Sequence, residues 1–156
     1  MARRSAPSKG ILLGILLVVV TVVVFLFLRG SLLSPGKQAI AAVEEFYQNE
    51  QVGEFSGSWG LFHSTMRERF SKGHYIQDRA HVFMNHFGVE TFTYTLSKPE
   101  KVDNWKMSKK GPVMKNVYKF LVTQTYKGKY GNFDLKQEVI AVEEKGKWKI
   151  AWDYKQ

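Results

Sequence analysis

Three groups of residues in this chain have the types and spacing that chemistry requires. Ser34-Pro35-Gly36-Lys37 matches the S-x-x-K pattern, which sets a lysine one helical turn from a nucleophilic serine. That pattern performs acyl transfer only beside an S-D-N type motif and a K-T-G motif, and the sequence holds neither. Serine followed by proline is instead a helix start, with Ser34 as N-cap and Pro35 in the first turn. His74, Asp78 and His81 are spaced four and three, so one helix face can present them together to a metal ion. His86 falls off that face and the chain has no cysteine, so an exposed polar face is expected and no metal.

Acid–base catalysis would need a carboxylate on an apolar inner face, where desolvation raises its pKa. Four strand carboxylates come into question. Glu90 opens a strand in solvent, and Asp153 falls opposite Trp152. Asp134 and Glu138 share parity with Ile140 and Val142, so one of these two is the candidate for pointing inward at a strand end. None is a convincing base. The expectation is no enzyme, no catalytic residue and no cofactor.

The elements that position these residues begin with Ile11 to Leu28, ILLGILLVVVTVVVFLFL. Its eighteen residues carry no charge, and sixteen are Leu, Ile, Val or Phe. A helix of that length covers roughly 27 Å, close to the hydrocarbon thickness of a bilayer. Insertion of those side chains is favourable by at most about 5–8 kcal/mol. A cleavable secretory signal would be shorter and followed by small residues, whereas Leu32 and Leu33 stand where cleavage would fall. The expected partner of Ile11 to Leu28 is therefore the lipid bilayer, crossed once.

Arg3, Arg4 and Lys9 precede the span and only Arg29 and Lys37 follow closely, which places the N-terminus in the cytoplasm by the positive-inside bias. The expected organisation is a cytoplasmic tail at 1–10, the span at 11–28, a linker at 29–36 and one extracytoplasmic domain at 37–156. From Gly30 onward nineteen Lys and Arg oppose fourteen Asp and Glu, a net charge of +5. Such a surface attracts anionic partners such as phospholipid headgroups or wall polymers. Nucleic acid is not expected behind a membrane anchor.

Within the domain, Ala39, Ile40, Val43, Phe46 and Tyr47 recur at helical spacing until Val52-Gly53 breaks the pattern. Phe55, Trp59, Phe62 and Met66 predict a second helix. Ser71 caps a third, with Ile76, Ala80, Phe83 and Phe87 on its buried face and Gly88 as its stop. From Val89 the period becomes two. Phe92, Tyr94 and Leu96 alternate with Thr91, Thr93 and Thr95, and Pro99 interrupts before an edge strand at KVDNWKM. Two longer strands follow, with Tyr118, Phe120, Val122 and Tyr126 inward on one and Ile140 and Val142 inward on the next. Lys145-Gly146 then turns the chain into a strand carrying Trp148, Ile150, Trp152 and Tyr154 on one face. The expected fold is α+β, about three helices packed on a curved four-stranded antiparallel sheet.

The opening helix AVEEFYQNEQVGEF, the Trp-containing helix, the meander and the closing KWKIAWD resemble the nuclear-transport-factor-two-like fold. The nearer resemblance is to the non-catalytic N-terminal domain of methicillin-resistance-type, low-affinity penicillin-binding proteins, over roughly Lys37 to Tyr154. It implies a spacer or docking module, a membrane-anchored non-enzymatic interaction module of the bacterial envelope whose partner is an envelope protein such as a penicillin-binding transpeptidase. Thr93 on the outward threonine row, Lys109 and Lys110 in the lysine-rich loop, and Trp105, expected to be exposed, form the expected partner surface. The alternative is a pocket domain binding or transforming a small apolar ligand, lipid or glycan, with Trp59, Tyr94, Tyr118 and Trp152 as lining. Aromatics of this kind more often form core.

Overall fold

The computed structural model describes residues 9–31, 34–81, 89, 91–128 and 131–153. The chain divides into two compact units, residues 1–34 and 35–156.

The first unit contains helix α1, Lys9–Ser31. Among its described side chains Leu13, Ile15 to Val20 and Val22 to Val24 are all exposed, so it is apolar on every side and buries no face. Counted over the described residues alone, no helix is long and apolar enough to cross a membrane.

The second unit is α+β. Four helices, α2 (Pro35–Gln51), α3 (Phe55–Gly60), α4 (Ser64–Arg69) and α5 (Lys72–His81), precede five strands. These are β1 (Phe92–Leu96), β2 (Glu100–Trp105), β3 (Met114–Gly128), β4 (Gly131–Glu144) and β5 (Lys147–Ala151). All pairings are antiparallel, in the order β1-β3-β4-β5, with β2 also on β3. β1 pairs with β3 from Val122 to Tyr126 and β2 pairs with it from Met114 to Lys119, so both run along the same edge of β3. The sheet is thus four strand positions wide with one position shared, and Pro99 lies in the break as expected. Ser97 repairs the ladder there: its N–H donates to the Leu121 carbonyl and its Oγ accepts from the Leu121 N–H, both at 2.9 Å.

The main core lies between α2 and the inner face of the sheet. Ala39, Val43, Phe46 and Tyr47 are buried, as are Phe92, Phe120, Val122, Val139, Ala141 and Ile150. Register fixes the inner residues of β4, because Phe120 pairs with Val139 and Tyr118 with Ala141. Ile140 and Val142 therefore lie on the outer face, contrary to expectation. Both are nevertheless buried, and so is Val117. Four buried residues in succession, Val139 to Val142, erase the alternation from which parity is read. Asp134 and Glu138 go outward with Ile140, exposed, and Thr125 Oγ1 donates to Asp134 Oδ1 at 2.7 Å.

Two further expectations are corrected in the helices. The run Phe55 to Met66 is two short helices, not one. Leu61 to His63 leaves the helix to pair with β5: the His63 N–H donates to the Ile150 carbonyl and the Ile150 N–H to the Leu61 carbonyl, each at 2.9 Å. His63 then caps α4, its Nδ1 accepting from the Thr65 N–H. In α5 the buried side chain is Tyr75, whereas Ile76 and Ala80 are half-buried. Phe83, Phe87 and Gly88, like Glu90 and Tyr154, lie outside the described residues.

Candidate functional site

Ala39, Val43 and Phe46 form the buried stripe of α2, and the next position on that stripe is Glu50. Its side chain is 0% exposed. Three other elements bring polar groups to it: Ser58 from α3, and Tyr75 and Arg79, one turn apart, from α5. Arg79 places Nε and Nη2 on Oε2, each at 2.5 Å. Tyr75 donates to Oε1 at 2.7 Å, and Ser58 Oγ donates to the same oxygen. Four donors on two oxygens use the whole accepting capacity of a carboxylate.

Burial, the largest single influence, would lower the Arg79 pKa, but the Glu50 carboxylate with its hydrogen bond, together with Tyr75 and Tyr126, raises it on balance, so the guanidinium keeps its charge. Burial, reinforced by the same carboxylate, pushes the Tyr75 hydroxyl up, and it stays a donor. Tyr47 and Tyr126 rise by burial as well. Tyr126 donates to Gln124 Oε1 at 2.7 Å and Tyr47 to Gln137 Oε1 at 3.1 Å. Among the described residues no buried side-chain nitrogen or oxygen lacks a partner. A base needs a lone pair aimed at a substrate. Glu50 has none to spare, so the arrangement ties three helices together and has no free acceptor for proton transfer.

Glu50 escapes a reading of the sequence. The apolar stripe of α2 runs up to it, but an isolated glutamate beside Asn49 and Gln51 reads as the polar end of a helix. Only Arg79, twenty-nine residues on, makes its burial tolerable.

A second charged cluster lies where α4 meets β5. Glu144 faces His63 Nε2 at 3.6 Å and Arg67 at 3.5 Å. Burial raises the Glu144 carboxyl, but hydrogen bonds from Ser64 and the charges of His63 and Arg67 together hold it below its ordinary value. Burial lowers His63 despite Glu144. Arg67 and Lys72 stand 5.9 and 5.8 Å from the ring of Trp59.

The expected site residues do not converge. Trp59 donates its indole N–H to the Phe70 carbonyl at 2.8 Å, and Trp152 packs on Phe46, Phe62 and Phe70. Tyr94 packs on Tyr47, whereas Tyr118 packs on Trp148. All four are partly buried against the core cluster, and Trp59 and Trp152 both contact Phe70. Of the expected partner surface, Thr93 pairs with Thr125 while Trp105 pairs with Met114, eleven residues away along β3. That is roughly 35 Å of strand, so the threonine row and the lysine-rich loop are separate surfaces. Trp105 is half-buried and packed against the core cluster, not exposed as expected. Lys109 and Lys110 are exposed in the β2–β3 loop. His74, Asp78 and His81 are exposed on α5, and no group of metal-ligating side chains occurs among the described residues.

The chain matches no protein-family model, and no curated protein is similar to it.

Proposed function

We propose that the chain is a single-pass membrane protein that displays a non-enzymatic interaction module in the bacterial cell envelope. The observation that carries the module reading is the saturated state of Glu50. An inward carboxylate free to act would favour a pocket that transforms a ligand, whereas this one is fully occupied by Arg79, Ser58 and Tyr75. What supports the anchor is α1. Its described large side chains are apolar and exposed all around, and its sequence stays uncharged from Ile11 to Leu28. A helix of twenty-three residues spans roughly 34 Å, ample for a bilayer core.

In this reading the N-terminus is cytoplasmic and the domain extracytoplasmic. Helices followed by an antiparallel meander agree with the resemblance to the nuclear-transport-factor-two-like domain of low-affinity penicillin-binding proteins. The partner is then an envelope protein, a penicillin-binding transpeptidase being the first to test. The outward row of Thr93 and Thr95, beside Thr123 and Thr125, is the protein-facing surface. Confinement to one membrane plane raises effective concentration, so a modest polar surface suffices.

A photo-crosslinking residue at Thr93, in native membranes, is expected to capture a defined envelope protein. Protease added to intact protoplasts is expected to digest the domain. A domain protected until the membrane is opened reverses the orientation. Thr93 adducts confined to lipid or glycan favour the ligand-binding alternative.

A further inference from the structure

The positive charge of the second unit is gathered at one end of its sheet. Tyr118 marks the boundary, pairing with Lys101 on one side and Ala141 on the other. Beyond it lie the β2–β3 loop, the start of β3, and the β4–β5 turn at Lys145-Gly146. The N-terminus of α2 is at the same end. A Cβ on Gly36 would sit 3.4 Å from the Tyr118 ring, and Trp148 donates its indole N–H to Gln38 at 3.1 Å. Lys37, Lys101, Lys106, Lys109, Lys110, Lys115, Lys145 and Lys147 are all exposed here. Only Asp103 and Glu143 oppose them as exposed acids among the described residues, since Glu144 is already paired with Arg67. A surplus of six exceeds the net +5 of everything from Gly30 onward. The rest of the unit is close to neutral.

We infer that this lysine end docks on anionic phospholipid headgroups of the leaflet at which α1 ends. The inference rests on the membrane-span reading for its geometry. Residues 32–34 are the only ones between Ser31 and Pro35, and that stretch reaches about 15 Å at full extension. Chain length alone therefore keeps the start of α2 within that reach of the end of α1, and the lysines lie at the same end of the second unit as that start. Exposed lysines are compact, mobile cations suited to a fluid array of phosphates and not to one fixed ligand. The positive end of the α2 dipole adds to the same field. The threonine row, some eleven residues along β3, carries no such surplus and stays free for a protein partner.

The chain has no cysteine, so a single introduced one carries a unique label. Val113→Cys, exposed in the β2–β3 loop, and Thr93→Cys, at the far end, are each labelled with a bimane fluorophore in the full chain. The protein is reconstituted in phosphatidylcholine vesicles with or without about 30% phosphatidylglycerol, carrying a nitroxide on the headgroup. The label at 113 is expected to be quenched in the anionic vesicles at about 0.05 M salt, and at least about twofold less in neutral ones or at about 0.5 M salt. The label at 93 is expected to stay bright throughout. Lys106→Glu, Lys109→Glu, Lys110→Glu and Lys115→Glu combined are expected to abolish the quenching at 113. If that variant folds poorly, the salt and lipid comparisons on the chain with its lysines intact decide between docking and its absence.

Retention of the chain through an alkaline carbonate wash reports the span independently. A retained chain whose 113 label responds neither to lipid charge nor to salt overturns the inference and leaves the lysines to an acidic protein or phosphodiester polymer. A washed-off chain whose 113 label still tracks lipid charge removes the span and keeps the docking. A washed-off chain with no quenching overturns both.

Discussion

Arg79 sets two of its nitrogens on a single oxygen of Glu50 and leaves the other oxygen to Tyr75 and Ser58. The pair joins α5 to α2, and the Glu50 carboxylate is wholly buried whereas the Arg79 side chain remains partly exposed. Mutual attraction and complete hydrogen bonding offset the desolvation of both groups.

Removing either partner strands the other. Glu50→Leu or Arg79→Met is expected to cost about 3–5 kcal/mol, read by urea denaturation. The double replacement is expected to cost far less than the sum, because no orphaned charge remains. Additive losses would show that the two side chains do not interact.

Burial of His63, and the Ser64 hydrogen bonds and neighbouring charges at Glu144, give the stability a pH dependence with a definite sign. Both folded-state pKa values lie below their ordinary values of 6.5 and 4.5. Between the lowered and the ordinary value the unfolded chain binds the proton and the folded chain does not, so stability falls as pH falls. The melting temperature is expected to decline first below about pH 6.5, from His63, and again below about pH 4.5, from Glu144. His63→Asn keeps a capping oxygen for Thr65 and is expected to remove the first decline. A melting temperature flat from about pH 7 to 5 would contradict the burial of His63.

The β4–β5 turn has Lys145 at φ 53° and Gly146 at φ 75°, the two positive values of a tight primed hairpin. Lysine there is strained. Lys145→Asn is expected to stabilise by about 0.5 kcal/mol and Gly146→Ala to destabilise by about 1 kcal/mol, both by thermal melting. Opposite signs are the test.

Trp152 is half-buried but packs on three rings, Phe46, Phe62 and Phe70. Trp152→Ala is expected to cost about 3 kcal/mol, at the low end for an aromatic truncation because part of the ring meets solvent. A change within about 0.5 kcal/mol would place the ring outside the core.

Local pattern was enough for much of this molecule. The Ser34-Pro35 start and the stripe from Ala39 to Phe46 predicted α2, and Phe92, Tyr94 and Leu96 against three threonines predicted β1 and its faces. Pro99 predicted the break between β1 and β2, and Lys145-Gly146 the last hairpin. Each is a property of neighbours in sequence: periodicity, a missing N–H, a permitted φ. Tertiary structure alone decided the rest. Leu61 to His63 has the period of a helix but is drawn out of it because β5 offers an edge with unsatisfied N–H and carbonyl groups. Val139 to Val142 is apolar at every position, so only pairing with β3 could say which residues face α2. Glu50 is buried because an arginine and two hydroxyls from two other helices meet it there. A charge enters a core only when its partners arrive with it, and no local window contains those partners.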